Sequence, residues 1–243
     1  MTPTAAVRPE SWDEARDLRR FWWVLPPVTF VLITLSFAWL TDFRNEASQP
    51  TLESRSEQFF LSLATGPAPR IVVQNVEGDI TVAGQDGDAV SIEITRIGYG
   101  TTAAEASAAL ATLRMSARQD GHYVRILPAE DRPPVFKRVR ADITLRVPRG
   151  SALELQTLAG KVTVSGVLDE VSILNANGDI EVQLDDRPFG VEAEALSLIS
   201  AFQLDNGESP SPFVYRAIYG GEPVRQLQLI ALRGGVVIKR AAP

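Results

Sequence analysis

One short pattern, a glycine turn followed by alternating β-branched residues, recurs four times in this sequence. The copies read NVEGDITVAG at 75–84, TLAGKVTVSG at 157–166, NANGDIEVQL at 175–184 and ALRGGVVIKR at 231–240. Alternation with a period of two is typical of half-buried strands. Self-similarity at a period near 20 residues indicates units that stack on one another. The repeats therefore predict parallel strands that pair from one copy to the next.

The glycines of this pattern predict structural corners, since glycine permits positive φ and close approach of two backbones. The glycines in equivalent positions are Gly78, Gly160, Gly178 and Gly234. Asp79 and Asp179 follow two of them, and a short acceptor side chain suits the capping of a turn. Stacked carboxylates that bind Ca²⁺ or a sugar are the functional alternative. Lys161 stands at the same place in the second copy, which favours the structural role.

Short alternating runs dominate from residue 70 onward and predict an all-β domain. We expect a β-solenoid, or β-helix-like, ectodomain over residues 70–243, with inward Val, Ile and Leu side chains. One alanine-rich segment, 102–113, predicts a single short helix packed on the sheet, because Thr102 and Glu105 have capping-box spacing. The sequence near Asp120 and Gly121 predicts a β-hairpin.

A long apolar stretch near the start predicts a transmembrane helix. It begins at Phe21, ends at Leu40 and contains no charged residue, which matches the ~20 residues needed to cross a bilayer. Trp22 and Trp23 lie near one end and Trp39 near the other, where an aromatic belt would place them. A cleaved signal peptide or a buried core helix fits less well, because the run is long and no small-residue cleavage site follows it.

The charges around this stretch predict its orientation. Arginines closely precede it, whereas later basic residues are dispersed among acids, so the N-terminus is expected in the cytoplasm. The resulting order is a cytoplasmic tail (1–20), a single-pass membrane helix (21–40), a stalk or linker (41–69) with a helical turn around 56–63, and an extracytoplasmic domain (70–243). The lipid bilayer is therefore a predicted partner.

Composition narrows the range of functions. The net charge of −6 argues against nucleic acid as a partner, because phosphate binding requires a basic face. The chain has no cysteine, which excludes disulfides and thiolate metal sites. His122 is its only histidine, which excludes a multi-histidine metal site within one chain. We predict no catalytic, cofactor or metal site.

Several stretches resemble a widespread bacterial family. They read NVEGDITVAGQDGDAVSIEIT, ADITLRVPRGSALELQTLAGKVTVSGVLDEVSILNANGDIEVQL and GGEPVRQLQLIALRGGVVIKR. They are similar to the putative adhesin domain family, a family of unknown function, and VPRG followed by LEL is the most typical part. The resemblance covers roughly residues 70–240 and implies a β-solenoid-like ectodomain behind one membrane helix. It carries over no catalytic residue, and it fades between residues 185 and 221.

One basic segment stands out in the acidic ectodomain. It is FKRVRADITLRVPRG, and its candidate residues are Lys137, Arg138, Arg140, Arg146 and Arg149. Such a cluster predicts a surface that binds an anionic envelope polymer or lipid headgroups. The alternative is an ordinary solvated strand face whose charges are balanced by nearby acids.

Other candidates are weaker. Asp86 and Asp88 resemble half of a calcium loop but lack its remaining ligands. Asp185 and Asp186 are adjacent, so on a strand they point to opposite faces and cannot form a glycosidase pair alone. His122 follows a glycine turn with no partner suggested for it.

These observations predict a non-catalytic, membrane-anchored protein that binds or scaffolds in the cell envelope, as an adhesin does. An accessory or regulatory subunit of an envelope-sensing membrane complex is the alternative, with a membrane protein as its partner. A carbohydrate-active enzyme is the least favoured.

Overall fold

The computed structural model describes residues 52–129, 138–184, 190–197, 202–204, 214–219 and 224–240. Almost all of the regular structure in these ranges is β-strand, with a single short helix, as the sequence predicted. The predicted membrane helix, 21–40, lies outside the described residues, as does the tail before it. Within the described ranges, no helix is both long enough and apolar enough to span a bilayer.

The strands are numbered along the chain. They are β1 (Glu53–Ala64), β2 (Arg70–Glu77), β3 (Ile80–Gln85), β4 (Ala89–Gly100), β5 (Met115–Asp120), β6 (Tyr123–Pro128), β7 (Val139–Pro148), β8 (Ala152–Ala159), β9 (Val162–Ser165), β10 (Val171–Asn177), β11 (Ile180–Leu184), β12 (Gly190–Ser197), β13 (Phe202–Leu204), β14 (Val214–Tyr219), β15 (Val224–Arg233) and β16 (Val236–Arg240). Sheet A has the order β1-β4-β7-β3-β9-β11-β16-β13, and sheet B has the order β14-β12-β15-β10-β8-β2-β6-β5.

The four sequence repeats form four arches, which are the strand pairs β2–β3, β8–β9, β10–β11 and β15–β16. Each arch has its first strand in sheet B and its second strand in sheet A. Neighbouring arches pair in parallel in both sheets. In sheet A the first core residue of each arch is in register, so that Ile80, Val162, Ile180 and Val236 form one row. The predicted parallel pairing between repeats is therefore present.

The predicted solenoid was wrong. A solenoid adds each coil beside the previous one, whereas here the last arch, β15–β16, lies between β10–β11 and the earlier strands β12 and β13. Antiparallel pairs also close the sheets, namely β1–β4, β4–β7, β5–β6 and β12–β14. The repeat was read correctly as a local unit, but it does not determine the order in which distant strands join the sheets. The result is two mixed sheets.

The core lies between the two sheets and consists of the inward side chains of both. Along the arches every second residue is buried, as in β2, where Ile71 and Val73 are fully buried. Opposite them, Ile80 and Val82 of β3 are also fully buried. Each such side chain contributes about 1.5–3 kcal/mol of transfer free energy. The alternation that predicted strands therefore also fills the core.

The predicted helix is present as α1 (Ala103–Thr112). Thr102 is its N-cap, and the threonine side chain accepts a hydrogen bond from the N–H of Glu105. The Glu105 carboxylate in turn accepts from the N–H and hydroxyl of Thr101, which lowers the pKa of Glu105. Gly98 of β4 makes room for the helix, because a Cβ there would lie 2.3 Å from the carbonyl oxygen of Ala106.

The domain begins earlier than the sequence suggested. Residues 53–64, assigned to the stalk with a helical turn around 56–63, form strand β1 instead. This strand pairs with β4 along its whole length. Only its C-terminal part alternates in burial, with Leu61 and Leu63 packed against the core. The sequence of β1 alternates only weakly between apolar and polar residues, so it did not predict a strand. Backbone pairing with β4 holds most of this strand in place.

Candidate binding surfaces

Four glycines form the corners at which the arches pass from sheet B to sheet A. Their φ angles are 125° at Gly78, 129° at Gly160, 140° at Gly178 and 146° at Gly234, a region that residues with a Cβ rarely adopt. The corners also stack closely. A Cβ on Gly160 would lie 2.1 Å from the carbonyl oxygen of Gly78, and a Cβ on Gly178 would lie equally near that of Gly160, at 2.1 Å. Backbone angle and spacing therefore both require glycine here.

The aspartates after these corners bond to the backbone of the next strand. Oδ1 of Asp79 accepts from the N–H of Lys161 (2.8 Å), and Oδ1 of Asp179 accepts from the N–H of Gly235 (2.7 Å). In the same way, Oδ1 of Asp142 in β7 accepts a hydrogen bond from the N–H of Asp79 (2.9 Å). These carboxylates join neighbouring strands of sheet A, and this geometry is that of backbone capping.

Two buried asparagines support the corners from inside, and the sequence analysis did not single them out. Nδ2 of Asn75 donates to the carbonyl oxygen of Ala141, and Nδ2 of Asn175 donates to that of Gly160, each at 2.8 Å. Asn175 is fully buried. An asparagine three residues before the corner glycine in two of the four repeats was the signal that could have found them.

The basic segment that the sequence put forward is largely neutralised. Lys137 lies outside the described residues. Arg140 donates from Nε to Oδ1 of Asp142 (2.7 Å) and from Nη2 to Oδ2 of Asp79 (2.9 Å). The hydrogen bond to Asp142 is the main reason that the pKa of Arg140 is raised. Arg149 similarly bonds to Asp86, from Nε to Oδ1 at 3.0 Å. Asp142 of the same strand, together with Asp79 and Asp86 from distant parts of the chain, thus balances two of the predicted binding residues.

The remaining two residues of the segment are far apart. Arg138 and Arg146 are both exposed, but eight residues of nearly extended strand separate them, or about 26 Å. Arg138 lies close enough to Glu105 for its charge to help lower the pKa of that carboxyl. The described part of the segment is therefore a dispersed face and does not form one basic cluster.

A second charge network lies on the other half of sheet A. The Glu181 carboxylate accepts from Nζ of Lys161 (2.6 Å) and from Nζ of Lys239 (2.7 Å). These bonds lower the pKa of Glu181 to about 2. The hydrogen bond to Glu181 likewise raises the pKa of Lys161. Both lysines are thereby paired across strands β9, β11 and β16.

The weaker candidates do not come together. Asp86 is engaged by Arg149, and Asp88 contributes its carbonyl oxygen to the N–H of Thr65 (2.9 Å). His122 is exposed, with its ring centroid 4.3 Å from that of Tyr123. Asp185 and Asp186 lie outside the described residues. Across the described ranges, no three His, Asp or Glu residues are placed to share a metal ion.

Two arginines that the sequence analysis missed face each other on sheet B. Arg118 of β5 is directly opposite Arg125 of β6, and both are exposed. We call them the arginine pair. Like charges directly opposite each other destabilise a sheet, and neither arginine forms an ion pair with another of the described residues. The hairpin predicted at Asp120 and Gly121 was a partial signal. In the structure the loop is formed by residues 121–122, one position later, and this register places the two arginines opposite each other.

Few charges lie near the arginine pair. On the other side of β6, the residue of β2 that lies beside Arg125 is the uncharged Val72. Arg70 lies on the same face of β2, and its Nη2 is 3.7 Å from a carboxylate oxygen of Glu154, at the outer limit of an ion pair. The exposed end of sheet B therefore carries three arginines and two carboxylates on neighbouring strands, Glu154 loosely engaged by Arg70 and Asp120 two residues from Arg118 on the same face of β5. Planar guanidinium groups so arranged suit bidentate binding of phosphate or carboxylate.

No protein-family model and no curated protein matches this sequence. Solved structures do resemble the fold. A putative cell adhesion protein from Clostridium sporogenes is 11% identical, with 78% of this chain and 100% of that chain covered and a TM-score of 0.47. A putative adhesin from Bacteroides fragilis is 11% identical, with 80% and 100% covered and a TM-score of 0.28. A putative adhesin from Parabacteroides distasonis is 11% identical, with 76% and 56% covered and a TM-score of 0.31.

Proposed function

We propose that this protein is a non-catalytic binding module of the bacterial cell envelope, an adhesin in the broad sense. The apolar segment 21–40 anchors it in the cell membrane by a single pass, with the N-terminus in the cytoplasm and the two-sheet domain outside. It binds phosphate or carboxylate groups of an envelope polymer or of lipid headgroups. The arginine pair is the centre of its binding surface.

One observation carries this proposal: two exposed arginines are held opposite each other, and no carboxylate of the described residues forms an ion pair with either. Arg118 and Arg125 lie on adjacent strands, whose Cα atoms are about 5.5 Å apart at such a pair. That spacing allows both guanidinium groups to reach one phosphate or two neighbouring groups of a polymer. A bound anion would remove the repulsion between the two arginines. The loss of this repulsion on binding makes the binding free energy more favourable.

The acids that could have indicated catalysis have structural roles instead. Asp79 and Asp179 each accept a hydrogen bond at Oδ1 from a backbone N–H that precedes the next strand, which occupies one oxygen of each carboxylate. Glu181 is held between two lysines, and its lowered pKa keeps it ionised and unsuited to act as a general acid. A binding role therefore fits the described carboxylates better than hydrolysis of a polysaccharide does.

The test uses the full chain in nanodiscs of neutral phosphatidylcholine, so that the apolar segment 21–40 has a bilayer to insert into. The two probes are a purified polyol-phosphate wall polymer and vesicles of phosphatidylglycerol, each at low and at high salt. We expect salt-sensitive binding to at least one probe. A polymer phosphate and a lipid headgroup share the same chemistry, and the identity of the probe that binds shows which of the two the protein recognises.

A matched pair of variants locates the surface. Arg118→Gln/Arg125→Gln should weaken binding at least about tenfold, since it removes two charge-assisted contacts. Arg138→Gln/Arg146→Gln removes the same charge from the exposed residues of the segment that the sequence favoured, and should change binding less than about twofold. Failure of the wild-type protein to bind either probe would contradict the proposed function. The reverse order of the two variants would contradict the assigned surface.

A further inference from the structure

Strand β1 has an open edge. It is twelve residues long and forms one end of sheet A, paired with β4 on one side. On its other side no strand pairs with it among the residues that the structure describes. An open edge of this length presents a row of unpaired backbone groups, which is a template for another strand.

The backbone groups that point to this edge can be identified. Thr65, one residue after β1, donates its N–H to the carbonyl oxygen of Asp88, one step beyond the Ala64–Ala89 pair. Antiparallel pairs alternate between bonded and non-bonded, so the odd-numbered residues of β1 bond to β4. The N–H and C=O groups of the even-numbered residues, including Ser54, Ser56 and Gln58, therefore point to the open edge.

This edge also carries the largest exposed apolar side chains of the described protein. Phe60 is 64% exposed, and Phe59 and Leu52 are each 48% exposed. Edge strands are commonly protected by proline, lysine or a bulge, and β1 contains neither residue and pairs with β4 in unbroken register. At the outer edge of sheet B, β5 is only six residues long, half the length of β1. The open edge of β1 is thus suited to an interface.

We propose that two copies of this protein pair β1 with β1 in antiparallel orientation, about a two-fold axis at Ser56. The two A sheets then join into one continuous sheet. Ser56 faces Ser56 of the second copy, Ser54 faces Gln58, and Leu52 faces Phe60. All of these are even-numbered residues, so each directly opposed pair can exchange two backbone hydrogen bonds.

The charges of β1, together with its exposed apolar side chains, favour this register. With the axis at Ser56, Arg55 lies directly opposite Glu57 of the second copy, and the symmetry makes this contact twice. Glu57 already bonds to Arg96 of its own chain, so it would lie between two guanidinium groups. Opposite charges directly across a strand pair stabilise it, whereas like charges destabilise it.

Most neighbouring registers lose this complementarity. An axis at Arg55 places Arg55 against Arg55, and an axis at Glu57 places Glu57 against Glu57. An axis at Gln58 sets Arg55 opposite Leu61, which leaves the charge without a partner and next to an apolar side chain. An axis at Ser54 also sets Arg55 opposite a glutamate, Glu53, but it places Leu52 against Ser56. Among these registers, only the axis at Ser56 both pairs Arg55 with a glutamate and places Phe60 against Leu52, while Glu53 lies opposite Phe59.

The chain has no cysteine, so single cysteine substitutions report the register directly. The test uses Ser56→Cys, Ser54→Cys and Ser62→Cys in the full chain in neutral nanodiscs or detergent, under mild oxidation. All three serines are exposed and lie on the same face of β1. Ser56→Cys should form a covalent dimer, because a Cα separation of about 5.5 Å at a bonded pair lies within disulfide range. The Ser54→Cys variant should not, since its two copies are offset by four residues, about 14 Å.

Two further measurements sharpen the result. Ser62→Cys should also stay monomeric, and cross-linking of all three variants alike would overturn the antiparallel register. Ser56→Pro removes an N–H that points to the open edge and leaves pairing with β4 intact, so it should abolish the dimer in analytical ultracentrifugation while the thermal transition persists. A wild-type protein that remains monomeric at high concentration, with no Ser56→Cys dimer, would overturn the proposal.

Discussion

The four arches and the N-terminal antiparallel region differ in what holds them together. In the arches, one repeated pattern supplies the strands, the buried side chains and the glycine corners, and each arch rests on the next. In β1, β4 and the β5–β6 hairpin, pairing is antiparallel and the residues at the sheet edges are exposed. Both proposed interaction surfaces lie in this second region.

The comparison shows how stability and interaction are divided within one domain. At the stacked corners only glycine fits, because the next backbone lies about 2 Å from where a Cβ would be. The antiparallel edges are not constrained in this way, so they can carry an unpaired arginine pair and exposed phenylalanines. Substitutions in the arches should therefore reduce stability, whereas substitutions at the edges should change interactions and leave stability nearly unchanged.

The largest effect is expected at a stacked corner. Gly160→Ala combines an unfavourable φ of 129° with a Cβ 2.1 Å from the carbonyl oxygen of Gly78, and should cost about 4 kcal/mol or prevent folding. Gly87→Ala is the control, since its φ of 127° is similar but no atom lies within 4 Å. It should cost about 1–3 kcal/mol. Urea unfolding measures both, and equal losses would contradict the stacking of corners.

The buried asparagine inside a corner should have the next largest effect. Asn175→Ala removes bonds to the carbonyl oxygen of Gly160 and from the N–H of Asn177, leaving buried groups unsatisfied at a cost of about 2 kcal/mol. Asn177→Ala is the control, because its side chain is only partly buried and makes no hydrogen bond to the other described residues, so the change should stay within about 0.5 kcal/mol. Chemical denaturation distinguishes them, and a neutral Asn175→Ala would disprove the internal support.

A pH-dependent effect is expected where lysines from two arches meet Glu181. The folded protein lowers the pKa of Glu181 from 4.5 to about 2, so this carboxylate stabilises the fold above pH 4.5 and the contribution is lost as the pH falls towards 2. The group lies at the surface, so we expect about 1 kcal/mol. Glu181→Gln should flatten the pH dependence of unfolding in that range. An unchanged acid profile in the variant would contradict the assignment.

The smallest effect, and one of opposite sign, is expected at the arginine pair. Arg118→Glu replaces a repulsive cross-strand contact with an attractive one to Arg125, so it should stabilise the protein by about 0.5 kcal/mol. The same substitution should abolish anion binding. Thermal unfolding at low and high salt tests this, and the gain should shrink as salt screens the charges. A loss of stability at low salt would mean that the two arginines do not repel each other.

Local features were predictable from the sequence, but long-range pairing was not. Alternation and glycine placement gave the arches, and capping-box spacing gave α1. The position of β15–β16 between β10–β11 and β12–β13 depends on pairing across distant segments, for which the repeat contains no information. The same limit explains the basic segment. Arg140 bonds to Asp142, two positions away, but its second partner, Asp79, lies 61 positions away along the chain.

The most direct test of the account is to locate the bound anion on the protein. Hydrogen–deuterium exchange of the full chain in neutral nanodiscs, with and without the anionic probe that binds, reports which backbone segments become protected. The account predicts new protection in the β5–β6 hairpin around Arg118 and Arg125 and in the adjoining part of β2. It predicts none in β7. Protection confined to β7 and its flanking arginines would contradict the assigned surface.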